Sequence, residues 1–165
     1  MTAARPALWG PILVAALAAL VVANLGGLLT DIGPWYQNLQ RPSWQPPDWL
    51  FPPAWTLIFA LSATSGVLAW RAAPDAANRR RIVGAFAVNA VLNVLWSALF
   101  FSLRRPDWAL IEVALLWLSI VLLIVVTGRV SRAAAWLLLP YLVWVSFASA
   151  LNYAVVHLNG PFGGS

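Results

Sequence analysis

PWYQNLQRPSWQPPDWLFPPAWT, residues 34 to 56, holds four of the eleven tryptophans and six of the twelve prolines of the chain. Prolines at this density forbid a continuous helix and a sheet strand, because each removes a backbone donor and its ring clashes one helical turn back. The stretch is also too aromatic for a disordered linker. Trp35, Tyr36, Trp44, Trp49, Phe51 and Trp55 carry roughly 150 to 250 Å² of largely apolar surface each, which calls for burial. Loops beyond about 12 to 15 residues in a compact domain are functional or disordered. Residues 30–52 therefore read as a stiff lid that folds down onto hydrophobic helices.

The flanks place that lid on a membrane protein. Of 165 residues 62% are hydrophobic and 9% charged, with a mean hydropathy of +0.80, outside the range of soluble domains. The absence of cysteine excludes disulfides and thiolate metal sites, and a single histidine excludes multi-histidine metal centres. Net charge is +5, and every basic residue is arginine. These arginines lie between apolar runs, where they anchor spans to headgroups, so no nucleic-acid partner is expected. MTAARPALWG leads into an apolar run longer than a signal-peptide core, without a polar mature domain after it, so that run reads as a retained span.

Five stretches are long enough to cross a hydrocarbon core of about 30 Å: residues 8–29, 53–70, 82–103, 108–127 and 134–157. RAAPDAANRRR at 71–81, RRPD at 104–107 and GRVSRA at 128–133 separate them. Short connections make successive helices antiparallel neighbours, so the expected fold is all-α: one five-helix transmembrane domain over 1–165. Arg5, Arg71, Arg79, Arg80, Arg81, Arg129 and Arg132 then share one side, and Arg41, Arg104 and Arg105 the other. This imbalance predicts a cytoplasmic amino terminus and an outer lid, as in a bacterial cell membrane. Ala15, Ala19, Ala23 and Gly27 form a small-residue stripe on the first span, suited to packing within the bundle or to a homodimer seam.

Polar and aromatic residues recur within the spans. Asn89, Asn93, Trp96 and Phe100 share one face of the third, and Trp144, Ala148 and Asn152 one face of the fifth, with Tyr141 and Leu151 beside it. Buried amides need partners, so these faces point inward. They serve either as interhelical hydrogen-bonding glue or as the wall of a polar, aromatic cavity, with Trp55, Trp96 and Trp144 around a space beneath the lid. Ala148 between a tryptophan and an asparagine leaves a recess. Pro140 reads as a kink, since the apolar run continues beyond it. Trp9, Trp70, Trp108 and Trp136 sit at span ends as an interfacial belt, and the facing of Trp117 stays open. Glu112, one turn from Trp108, is expected to snorkel to the interface rather than relay protons. His157 is either a polar cap on the fifth span or a ligand to haem iron or another metal. No other metal site and no catalytic constellation is legible.

Three motifs together resemble the translocator protein family, also called tryptophan-rich sensory protein or peripheral benzodiazepine receptor: WYQNLQRPSWQPPDWLFPPAWT at 35–56, NVLWSALFF at 93–101 and PYLVWVSFASALNY at 140–153. The family's fold, a five-helix bundle with a long first loop closing over a cavity, agrees with the reading of the residues. The resemblance implies binding of protoporphyrin IX, haem, sterols and synthetic isoquinoline carboxamide or benzodiazepine ligands, without a resident cofactor. It also implies a homodimer and a link to tetrapyrrole homeostasis and to oxygen, light or stress signalling. By motif position the family's pocket maps to Tyr36, Trp55, Asn93, Trp96, Trp144, Ala148 and Asn152. Around it stand the lid residues Trp35, Arg41, Trp44 and Trp49, with Arg41 either a counter-charge for ligand carboxylates or a solvated side chain.

The expected function is a membrane receptor or sensor for porphyrins. A light-dependent porphyrin-degrading enzyme using Trp55 and Trp144 is the first alternative, and a tetrapyrrole or sterol transporter the second. The sequence departs from the family at Phe59, where tyrosine is frequent. It departs again in a degenerate sterol motif, Leu151, Tyr153 and His157, where a basic residue should follow Tyr153.

Overall fold

The computed structural model describes residues 9–162, and every regular element among them is helical. Helix α1 spans Trp9–Leu29, α2 Pro34–Gln37, α3 Phe51–Ala72, α4 Ala76–Ser97, α5 Pro106–Gly128, α6 Arg132–Trp136 and α7 Leu139–Asn159. Five segments are long and apolar enough to cross a membrane: α1, α3 with the preceding turn Asp48–Leu50, α4 with its extension to Ser102, α5, and α6 with α7.

The ends of these helices follow from local chemistry. Pro52 and Pro53 stand in the first turn of α3 and Pro106 opens α5, positions where the missing N–H would be unpaired in any case. The 71–81 stretch, expected as a break, is interrupted only at residues 73–75. Asp75 caps α4 by accepting from Asn78 N at 2.7 Å, so Arg79, Arg80 and Arg81 extend the helix beyond the apolar span. That backbone donor also holds the Asp75 carboxyl below its ordinary range. Ser131 caps α6 in the same way, accepting from Ala134 N at 3.2 Å.

The fifth span bends where Pro140 marks it. The chain turns at Leu137 and Leu138, and α7 restarts with Pro140 in its first turn. A proline restarts a helix there without loss, whereas deeper in the same run it would remove a bond.

At its carboxyl end α4 widens into a π-turn, Ala98–Ser102, which closes through Arg104 in the left-handed region at φ 54°. The wider turn sets Phe100 and Phe101 beneath the α1–α3 connection.

The core lies between α4, α5 and α7, with Ile58 of α3 packed on Val113, Leu116, Ile120, Tyr141 and Val145. Helix α1 buries no residue fully and packs against α3 and α4. Its half-buried positions include Ala15, Ala19, Ala23 and Gly26. The stripe thus faces the bundle through Gly26, which lies beside Ser97 of α4, while Gly27 is exposed.

Candidate functional site

The α1–α3 connection is drawn onto the bundle by both aromatic and polar contacts. Trp35 meets Phe100 edge-on at 6.2 Å, Tyr36 tilts against Phe101 at 5.6 Å, and Trp44 meets Phe147 of α7 at 5.8 Å. A two-way clasp fastens the connection to the end of α7. Gln40 N donates to Asn159 Oδ1 at 2.7 Å, and Asn159 Nδ2 donates back to Gln40 O at 2.8 Å.

Within the connection the Arg41 guanidinium lies over the Tyr36 ring at 4.4 Å and donates to Asp48 Oδ2 at 3.2 Å, Gln37 Oε1 at 2.9 Å and Tyr36 O at 3.3 Å. The Tyr36 hydroxyl donates to Asp48 Oδ1 at 3.1 Å and accepts from Gln45 Nε2 at 3.3 Å. Burial first, and then the Asp48 carboxylate, push the Tyr36 phenol above its ordinary value. Tyr36, expected to meet a ligand, and Arg41, read as either a counter-charge or a solvated side chain, are thus engaged with each other and with Asp48. Trp49, expected to fold down, is 70% exposed.

Beneath this segment the aromatic residues of α3 and α7 converge. Trp55 stacks on Phe59 at 5.3 Å and meets Tyr141 edge-on at 6.1 Å and Trp144 at 6.4 Å. Phe51 closes on Trp144 from above at 5.6 Å, and Phe147 lies against it at 5.8 Å. Trp55, Phe59, Trp144 and Ala148 all remain half-buried. Asn93 is buried and donates from Nδ2 to the Tyr141 hydroxyl at 3.1 Å, which ties α4 to α7. Asn89 donates to Ser119 Oγ at 2.9 Å and ties α4 to α5. Trp96 stacks on Phe100 at 5.1 Å, with its Nε1 buried and unpartnered.

Most of the expected residues therefore converge, whereas Asn152 and Glu112 depart from expectation, and His157 and Trp117, whose readings stood open, take definite positions. Asn152, placed in the pocket by motif, is 1% exposed and turned to α5. Its amide orientation follows from that bonding: Nδ2 donates to Pro106 O and Oδ1 accepts from Leu110 N, each at 3.0 Å. Its amide is therefore engaged with the α5 backbone, away from Trp144. His157 stacks on Tyr153 at 6.2 Å on the outer side of α7, away from the Trp55–Trp144 pair, so it offers no axial ligand there. Glu112, expected to snorkel, is 5% exposed because α5 turns it toward the helix interfaces, and both its oxygens lack partners. Trp117 faces outward and donates to Ser146 Oγ at 2.9 Å.

Tyr141 and Phe51 are the members that sequence reading underweighted. Tyr141 carried a signal, since residues 141, 145, 148 and 152 recur at helical spacing on one face. A groove of about 550 Å³ lies on the other side of α7, between Pro42–Trp44 and Ala150, Tyr153, Ala154, His157 and Leu158. It contains Tyr153 and His157 of the sterol motif, while the third member, Leu151, does not line it.

Comparison with known proteins agrees with this architecture. The model of the TspO/MBR family matches residues 14–158. The tryptophan-rich protein TspO of Chlorobaculum tepidum is 44% identical over 76% of this chain and 79% of its own length. The translocator protein of Sus scrofa is 34% identical over 90% and 93%. The tryptophan-rich sensory protein of Cereibacter sphaeroides is 32% identical over 87% and 88%. With five spans, the aromatic convergence of α3 and α7 and a family match over nearly the whole described length, the chain is an integral membrane protein of the TspO/MBR family.

Proposed function

We propose that the protein is a membrane receptor or sensor that binds a porphyrin, such as protoporphyrin IX or haem, between α3, α4 and α7 beneath the segment 30–52, which acts as a lid. The observation that carries this reading is the convergence of Phe51, Trp55, Phe59, Tyr141 and Trp144 on one another. Rings that meet edge-on exchange those contacts for equivalent ones with a flat macrocycle that slides between them. Entry requires the lid to lift, and its ties are side-chain bonds at its edges. Asn93 and Tyr141 supply polar groups at the inner wall. The ligand's carboxylates would stay at the lid edge, where Arg41 can reach them by exchanging Asp48.

Tetrapyrrole homeostasis and oxygen, light or stress signalling are the roles that such binding would serve. Sterols and synthetic isoquinoline carboxamides are secondary ligands in this reading. The outer groove at Tyr153 and His157, rather than the aromatic site, is where a sterol would lie. A cytoplasmic amino terminus and a homodimer complete the proposal.

The test is a dark titration of the purified, detergent-solubilised protein with protoporphyrin IX, following tryptophan emission. Saturable quenching that weakens about tenfold or more in Trp144→Phe or Asn93→Ala supports the reading, at the scale of one lost buried contact. Unsaturable quenching in the unaltered protein sinks it.

One observation favours a second reading. Trp55 and Trp144 touch, so an electron donated by either to an excited porphyrin could be shared with the other. Light-dependent loss of porphyrin absorbance that disappears in Trp55→Phe and Trp144→Phe, while dark binding persists, would make the protein an enzyme.

A further inference from the structure

Glu112 has no task in the porphyrin site, yet it is the one acidic side chain buried among the described residues. It lies on the face of α5 that also buries Ala109, Val113 and Leu116, and neither of its oxygens has a hydrogen-bond partner. A carboxyl group left so in apolar surroundings is costly, and a fold keeps it where something else supplies the partner.

Helix register shows what surrounds it. Helices α4 and α5 are antiparallel and are bonded across by Asn89 and Ser119 at 2.9 Å. Two turns from that bond toward the lid side, about 10 Å along each helix, the sequence brings Trp96 on α4 and Glu112 on α5 to the same level. The indole Nε1 of Trp96 is the other buried group at this level without a partner. Tyr141 of α7 packs in one cluster with Val113 and Leu116 of α5, and Trp96 packs against the same cluster. Trp96 stacks on Phe100 at 5.1 Å, and Trp55 meets Tyr141 edge-on at 6.1 Å, so the cluster on this part of α5 is rich in aromatic rings.

An unpartnered carboxylate beside aromatic rings matches an organic ammonium. The oxygens accept its N–H hydrogens, and the rings take its charge and the adjoining carbons. A metal ion would need further ligands, and no cluster of three or more acidic, histidine or cysteine side chains exists among the described residues.

We propose that Glu112, with Trp96 and Tyr141, forms a subsite for the protonated amine of a hydrophobic, amphiphilic ligand. This ligand class is separate from the porphyrins, and the subsite does not depend on porphyrin binding.

The experiment uses the full chain in detergent micelles and two probes of one skeleton, a phenylalkyl primary amine and the corresponding alcohol. Each is titrated by tryptophan emission and calorimetry at neutral pH. The amine binds the unaltered protein about tenfold more tightly than the alcohol, the scale of a desolvated charge-assisted contact. In Glu112→Gln, which keeps the shape of the side chain, the two probes bind within about twofold of each other.

Equal affinity for amine and alcohol in the unaltered protein overturns the proposal, as it would if Glu112 were satisfied by water alone. That result needs no variant to fold. A preference that survives in Glu112→Gln also overturns it. Protoporphyrin IX titrated into the same samples separates the two readings. Porphyrin binding without amine preference removes only this subsite, and amine preference without porphyrin binding removes only the porphyrin site.

Discussion

At the scale of single residues, burial and hydrogen bonding sort side chains that look alike in the sequence. Asn93 and Asn152 are both mid-span asparagines, but one donates to Tyr141 toward the aromatic site and the other is consumed by the α5 backbone. Motif position cannot separate them, because both satisfy the same requirement for a paired amide. Glu112 gives the sharpest prediction. Replacing an unpaired buried carboxyl with an apolar side chain of similar size removes a desolvation cost and leaves no orphaned partner. Glu112→Leu should therefore raise the thermal midpoint in detergent, by about 1 to 3 kcal/mol of stability, while abolishing amine preference. A lower midpoint would mean that Glu112 is already satisfied within the fold.

At the scale of elements, the α1–α3 connection is held by a small number of polar ties around a stiff, proline-rich chain. If this connection is the proposed lid, deleting the clasp with Asn159→Ala should speed both porphyrin association and dissociation, with a smaller effect on affinity, because the clasp bonds the connection to α7 and not to the ligand. Stopped-flow quenching measures this, and unchanged rates would show that the lid opens elsewhere.

Tyr36 adds a pH dependence to the same element. Its folded phenol titrates above its ordinary value of 10.0, so the released lid loses the proton first as pH rises. Closure is accordingly unaffected below about pH 10, weakens as pH climbs through the folded value, and is insensitive to alkali in Tyr36→Phe. Porphyrin dissociation rates across that window check the sign. The sequence foretold a proline-stiffened aromatic segment. It did not foretell that Arg41 and Asp48 would clamp Tyr36, since partners seven and twelve residues apart in a non-periodic loop follow no repeat.

At the scale of the whole molecule, charge divides the bundle. Arg71, Arg79, Arg80, Arg81, Arg129 and Arg132 stand at one end, and Arg41, Arg104 and Arg105 at the other, each of the latter three paired with an aspartate. The free arginines should retain the first end on the cytoplasmic side. In intact cells a membrane-impermeant thiol reagent should label Ser43→Cys and spare Ala77→Cys. The reverse pattern would invert the topology while leaving the site unchanged.

The sequence alone determined the membrane setting, the number of spans and the family, because apolar length, arginine placement and three motifs are properties of contiguous residues. It also placed Trp55, Trp144 and Asn93 on inward faces, since helical periodicity is local. Only the tertiary structure decided which inward residues meet. Tyr141 joined the aromatic cluster, Asn152 turned to α5 and Glu112 was enclosed, because each outcome depends on the register and rotation of one helix against another. Those follow from the packing of all the contacting side chains together, which no single stretch of sequence contains.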